Sequence, residues 1–276
     1  MIRMIGLDLD GTVLTGDKRL TERNREALEE AAQSGVFVVP VTGRPLAGIP
    51  EQVLELPFIR YIITSNGAVT TDRAGGRPIR ERCMARETAE KTLMAAEGEG
   101  IIREFFTGGY GYHDYSTRRL LWKRFERTPV LSYLEKSRIP VEDLYEELGG
   151  SDTIENLSIM CSTREEKERI LARVRNISGI RIIYPWPTDL EITSSDADKG
   201  EALLSLAELL GCRREEVMAM GDGNNDLGLM KAAGLSVAMG NSAPEVIEAA
   251  DYVTTDNEHD GVALAVRRYI LGRGEY

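Results

Sequence analysis

The sequence has little cysteine and little histidine: three and two residues in a chain of 276. Cys83, Cys161 and Cys212 are scattered, odd in number and form no Cys-x-x-Cys pair. They read as reduced thiols and point to a cytoplasmic chain rather than a disulfide-stapled one. With only His113 and His259 to add, a zinc centre is poorly provided for. No stretch approaches the roughly 18 apolar residues of a membrane span, and charge interrupts the N-terminal segment too soon for a signal peptide. An excess of positive charge is missing too, since the formal net charge is -11. A nucleic-acid binder carries a basic patch or stripe. None is visible, and the acidic balance also opposes an anionic membrane. Neither partner is expected. A small anionic substrate fits only if a metal or a lysine meets its charge locally.

What is present is ordinary globular composition, 42% hydrophobic and 29% charged, long enough for one large domain or two modest ones. Residues 2–9 read as a buried strand ending in Asp-Leu-Asp. Thr21 is a candidate cap for a helix over 22–34 that Gly35 closes. Strands follow at 36–41 and 59–64, with Pro40 expected where the first of them frays, because proline removes a ladder donor. The alternation implies a parallel sheet with crossover helices. It resumes with helices near 199–210, 225–233, 243–250 and 260–271 and strands at 217–220, 235–239 and 252–254. The middle differs, with helices near 87–97 and 163–176 and strands near 155–161, 180–184 and 189–193. The fold class expected is therefore α/β: a Rossmann-like parallel-sheet core domain, 1–80 plus 190–276, with an inserted α+β domain, 81–189. No internal repeat or low-complexity segment interrupts it.

Four motifs carry chemistry. Asp8-Leu-Asp10-Gly11-Thr12 ends the first strand, where an open parallel sheet binds ligands. Alternation turns Leu9 away from Asp8 and Asp10, and Gly11 and Thr12 offer backbone N–H groups to a phosphate. The same residues also suit a plain turn. Gly221-Asp222-Gly-Asn-Asn225-Asp226 follows the strand at 217–220 and opens a helix, where acids also serve as simple caps. Together the two motifs put Asp8, Asp10, Asp222 and Asp226 in reach of one crevice. Two like charges about 4 Å apart repel by roughly 4 kcal/mol at an effective dielectric of about 20, so such a cluster makes sense around a hard cation such as Mg²⁺. In Thr42-Gly43-Arg44-Pro45, a hydroxyl, an N–H and a bidentate guanidinium suit phosphate oxygens, although a turn before proline is an equal reading. Lys199 follows the candidate cap Asp198 and sits in a first helical turn, where a cation opposes the macrodipole by about 0.3–1 kcal/mol. A residue placed against the local rule hints at function.

These pieces, in this order, resemble the haloacid dehalogenase superfamily of phosphohydrolases. Only about 30 residues separate Asp10 from Thr42, whereas about 155 separate Thr42 from Lys199. A cap domain inserted in the longer interval is similar to the Cof-type branch with a cap of the second class. Ser65-Asn66-Gly67-Ala68, Met239-Gly-Asn241 and Asp260-Gly-Val262 also resemble that branch. The resemblance implies that Asp8 attacks phosphorus and ligates Mg²⁺. Asp10 gives its backbone carbonyl to the metal and acts as general acid, then base. Thr42 and Lys199 hold the phosphoryl group, Asn225 touches it, and Asp222 ligates the metal. Asp226 supports the metal directly or through water. The expected activity is a phosphatase acting on a small phosphorylated metabolite, a sugar phosphate or a phosphorylated cofactor. A phosphomutase and a non-enzymatic phosphate sensor are the alternatives. Asn66-Gly67 is a turn signal before a hairpin across 72–76, with substrate contact by Asn66 as its second reading. Phe105 to Tyr115 suits a cap core or hairpin, Ser242 to Glu245 a capping box, and both histidines the surface.

Overall fold

Met4–Leu7 carries no polar side chain and forms a strand buried along its whole length. In the computed structural model, which describes residues 1–273, this strand is near the centre of a five-stranded sheet. The order is Tyr252–Val253, Leu235–Ala238, Val217–Gly221, Met4–Leu7, Phe37–Pro40, and every pair is parallel. Parallel strands need crossover helices, which bury both faces and explain the continuous apolar runs. Helix Lys199–Leu209 packs so closely that a Cβ on Gly6 would lie 2.4 Å from Leu203. Leu203 and Leu206 join Met4, Val39, Val217 and Ala219 in one core cluster. Thr21 caps helix Glu22–Gln33 by accepting the Asn24 N–H, as expected. Pro40 ends its strand, opposite Leu7.

The third expected strand departs from the pattern. Tyr61–Thr64 touches the main sheet through a single bridge, Val41 to Ile63. Its ladder runs instead with Val69–Asp72, which pairs with Arg77–Glu81, giving the hairpin expected across 72–76. The capping box at Ser242 is absent. Ala243 occupies the cap position of helix Pro244–Ala249, and the Ser242 hydroxyl donates to the Gly221 carbonyl instead.

By its internal contacts the chain divides into two compact units. The first holds Met1–Gly43, Pro50–Glu81 and the described residues from Asp198 onward. The second holds Arg44–Ile49 and Arg82–Ala197. The second unit is built on a six-stranded sheet in the order Ile180–Ile183, Asp189–Ser194, Asn156–Met160, Ile102–Thr107, Tyr110–Asp114, Arg138–Val141. All pairs are antiparallel except the last. Alternation sends Phe105, Leu157, Ile159, Leu190 and Ile192 to one face, under helices Arg86–Ala95, Leu144–Gly149 and Arg164–Val174. Ile102 and Met160 meet Leu121 and Leu134 of two short helices in a smaller cluster. The hairpin at 105–115 is present. His113 is not at the surface: it is fully buried, opposite Glu104 in the hairpin register. His259 is exposed. Residues 44–49 join this unit through the Ala47 N–H, which donates to Gly109 O, and through Gly48, where an added Cβ would lie 2.2 Å from the Tyr133 ring.

Candidate active site

The parallel strands of the first unit end at the same edge, and the polar residues begin where they stop. Asp8 follows Leu7 directly, and its N–H donates to Met220 O of the neighbouring strand. Asp222 follows Gly221 in the same way. Between them the chain must turn sharply. Gly11 does so at a φ of 83°, in the left-handed region, with the space for a Cβ filled by the Asp222 carboxylate 2.3 Å away. Glycine meets both demands without strain. The Thr12 hydroxyl donates to Asp222 Oδ1 at 3.1 Å.

Lys199 brings a third segment to the same place. Asp198 caps the helix by accepting the Gly200 and Glu201 N–H groups, which fixes Lys199 as the first helical residue. Its Nζ donates to Asp8 Oδ1 at 2.6 Å and to Asp226 Oδ1 at 2.7 Å. Asp226 is oriented by its other oxygen, which accepts the Asp222 and Gly223 N–H groups. Lys199 and Asp226 are each 1% exposed and Asp8 5%. Burial alone would depress the Lys199 ammonium, but Asp226 and Asp8 outweigh it and hold its pKa above the ordinary value. Burial pushes the Asp8 carboxyl well above the usual aspartate range. Lys199 pulls it back, while Asp226, Asp222 and Asp10 add to the push. Asp222 is pushed up to about 6, by burial first and by Asp226 second.

Carboxylate oxygens of Asp8, Asp222 and Asp226 all lie within 4.8 Å of one another. Three acids face one ammonium. Their donor atoms are all oxygen, and their charge exceeds what Lys199 neutralises. A hard divalent cation fits this set, whereas a soft one would want sulfur or nitrogen.

The remaining expected residues fall in three places. Thr42 is buried at the end of Phe37–Pro40, its N–H donating to Ile63 O. Gly43 lies against the Asn66 amide, whose oxygen accepts an N–H from Asn225 at 3.1 Å. These four form a second cluster in the first unit. Asp10 is half exposed, and its carboxylate takes the Lys18 ammonium at 2.8 Å. Arg44 sits in the second unit, its guanidinium 4.7 Å above the Tyr133 ring and donating to Gly48 O.

Two further contacts join the site, and the first of them, by Lys18, had no signal in the sequence. Lys18 reaches Asp10 from a turn at φ 62°, clamped by Gln52, which donates to Lys18 O and accepts the Leu20 N–H. The Asn241 amide, in the Met239-Gly-Asn241 segment, donates to Gly11 O at 2.8 Å and to Asp222 Oδ2 at 3.4 Å.

Residues 5–266 match the family model for haloacid dehalogenase-like hydrolases. The chain belongs to that family. This hydrolase is 31% identical over 271 residues to the 5-amino-6-(5-phospho-D-ribitylamino)uracil phosphatase YcsE of Bacillus subtilis (strain 168), covering 98% of this chain and 96% of the relative. A haloacid dehalogenase-like hydrolase structure from B. subtilis superposes with a TM-score of 0.84 at 28% identity, over 97% of this chain and 100% of that one. The HAD subclass IIB sugar phosphatase BT4131 superposes with a TM-score of 0.83 at 26% identity, over 97% and 98% of the two chains. The protein is thus a phosphatase of the Cof type. Among the described residues no helix is long and apolar enough to cross a membrane.

Proposed function

We propose that this phosphatase is Mg²⁺-dependent and hydrolyses a small phosphorylated metabolite through an aspartyl-phosphate on Asp8. The observation that carries the proposal is the buried Lys199 ammonium bridging Asp8 and Asp226 beside Asp222. The catalytic set is Asp8, Asp10 and Lys199. Asp8, Asp222, Asp226 and the backbone carbonyl of Asp10 would hold Mg²⁺. Bound there, the ion supplies positive charge that offsets the repulsion between a carboxylate and a phosphate dianion.

The chain's own residues do the rest. An Asp8 oxygen attacks phosphorus while the bond from phosphorus to the ester oxygen breaks. Asp10 gives its proton to the departing alkoxide. Asp10 then takes a proton from water, the water oxygen attacks phosphorus, and the bond to Asp8 breaks. Free carboxylate and inorganic phosphate result. Lys199 neutralises charge on the phosphoryl oxygens as they spread toward the transition state. Thr42, Gly43 and the Gly11–Thr12 backbone cradle those oxygens, with Asn225 donating alongside. To reach the leaving group, the Asp10 carboxyl must release Lys18.

A sugar phosphate or phosphorylated cofactor is the substrate class we favour, because YcsE is named for a phosphoribitylamino-uracil and BT4131 for sugar phosphates. The net charge of -11 supports a small metabolite over nucleic acid or an anionic membrane. The scattered cysteines Cys83, Cys161 and Cys212, with no Cys-x-x-Cys pair among them, support a reducing, cytoplasmic setting. The test is phosphate release from a panel of metabolites with and without Mg²⁺. An acid-quenched turnover sample is then digested for mass analysis. The Asp8 peptide should carry one added phosphoryl group. Turnover that survives Asp8→Asn or is indifferent to chelator would overturn the proposal.

A further inference from the structure

Ser65, Asn66 and Gly67 are three consecutive residues with positive φ, at 50°, 57° and 94°. Glycine takes this region freely, asparagine less readily and serine rarely. All three are buried, so water does not relieve them. Strain of this kind persists only where the surroundings over-determine it, and here they do so from three sides. The Asn66 N–H donates to Thr42 O at 3.0 Å. A Cβ on Gly67 would lie 2.3 Å from the carbonyl oxygen of Asp198, the residue that caps the Lys199 helix. The Asn66 side-chain oxygen accepts an N–H from Asn225 at 3.1 Å and lies 3.0 Å from where a Gly43 Cβ would stand. One left-handed turn therefore touches the segments that carry Thr42, Lys199 and Asn225.

The chemistry of Asn66 separates it from a phosphate ligand. It turns its acceptor oxygen toward Asn225, and an acceptor faces a phosphate dianion badly. Asn225 offers a donor. Its Nδ2 carries two hydrogens; Asn66 takes one, which fixes the amide plane and leaves the other for a phosphoryl oxygen. We propose that Asn66 is a positioning residue: it aligns Asn225 through its side chain and the Thr42–Gly43 turn through its backbone, and it does not itself bind phosphate. This rests on the reading of Asn225 as a phosphoryl donor.

The test is a double-mutant cycle in the full chain with Mg²⁺, using p-nitrophenyl phosphate for turnover and inorganic phosphate as competitive inhibitor. Asn66→Gly removes the amide yet keeps the left-handed backbone without a steric penalty, so its melting temperature should stay near that of the parent. Asn225→Ala should lower kcat/KM by about tenfold or more and weaken phosphate inhibition. Asn66→Gly should do the same to a lesser degree. The double variant should be no worse than Asn225→Ala alone, because the two act as one unit. If Asn225→Ala changes neither quantity, the phosphoryl reading of Asn225 fails and the inference falls with it. If Asn225→Ala is impaired and Asn66→Gly is not, only the positioning role is overturned. Effects that multiply in the double variant would give Asn66 its own contact and overturn it too. So would a lower melting temperature with phosphate inhibition unchanged.

Discussion

Two buried charge clusters, one in each unit, treat charge in opposite ways. In the second unit, Arg138 donates to Glu104 at 3.0 Å, to the Tyr133 hydroxyl at 2.9 Å and to the Ser137 hydroxyl at 2.8 Å. Its guanidinium also lies over the rings of Phe106 and Tyr133. One anion meets one cation, and neutral hydroxyls take the remaining Arg138 hydrogen bonds. In the first unit, Asp8, Asp222 and Asp226 share one ammonium. A buried pair costs desolvation and is worth keeping only when well satisfied. The Arg138 cluster is balanced in charge as it stands, although Glu104 Oε2 is left without a hydrogen-bond partner. The Lys199 cluster has more negative charge than its one ammonium meets, and this imbalance, rather than burial or charge alone, is what singles it out as the proposed site of chemistry.

The largest expected effect breaks that contrast from the core side. Asp8→Asn keeps the shape and an acceptor for Lys199 but removes one of the surplus charges. Phosphate release should fall by about a thousandfold or more with the nucleophile gone. The chelated protein should nonetheless melt higher, by about 1 kcal/mol of stability, part of the repulsion between close like charges. Calorimetry in chelator checks the sign; a lower melting temperature would mean that Asp8 is a stabilising partner of Lys199, like Glu104 of Arg138.

Arg138→Met is the matching change in the second unit. It strands Glu104, which is 0% exposed, without its cation. Loss of one partner of a buried pair costs about 3–5 kcal/mol, read as a lower denaturant midpoint. Loss of stability without a matching loss of Mg²⁺ response would keep the two clusters separate.

A smaller effect comes from adding the cation. A ligand at a hundred times its Kd stabilises the folded state by about 2.7 kcal/mol. Mg²⁺ should therefore raise the melting temperature of the parent and of Glu104→Gln alike. It should fail to do so in Asp222→Asn, where one ligand oxygen set is weakened. An equal rise in all three would place the ion elsewhere.

Much of the core was legible because its signals are local. Asp8, Thr42 and Asp222 each follow an apolar run, Thr21 and Asp198 each open a helix, and Lys199 stands where a helix disfavours it. What was illegible depends on distant partners. Lys18 acquires its role from Gln52, 34 positions along, and from a left-handed turn that no propensity assigns to lysine. Arg44 follows the phosphate motif in sequence, yet packs with Tyr133 and belongs to the other unit. Helix Arg118–Phe125 carries four basic residues among eight, and its buried residue is Leu121, too weak a stripe to announce a helix. His113 looked like a surface residue because nothing in its own stretch reveals that Glu104 pairs opposite it.

The smallest expected effect concerns that histidine. His113 Nδ1 lies 3.0 Å from the Asp114 carbonyl, so this nitrogen carries the proton, and Nε2 is left as a buried acceptor with no partner. Burial lowers its pKa below the ordinary imidazole value, although Glu104 and the Asp114 carbonyl pull upward. A proton here would upset the balance of the Arg138 cluster by adding a second cation. The unfolded chain binds that proton near pH 6.5, whereas the folded chain resists it. Above about pH 6.5 both states are neutral and nothing is lost. As pH falls below that value the unfolded state gains protons first, so stability declines by at most about 1.4 kcal/mol per pH unit until His113 titrates in the fold. His113→Gln cannot titrate, so its denaturation midpoint should fall less steeply than the parent's between about pH 6.5 and 5. Parallel curves for the two proteins would mean that the folded site accepts the proton freely, and that the Arg138 cluster, like the Lys199 cluster, has room for a further positive charge.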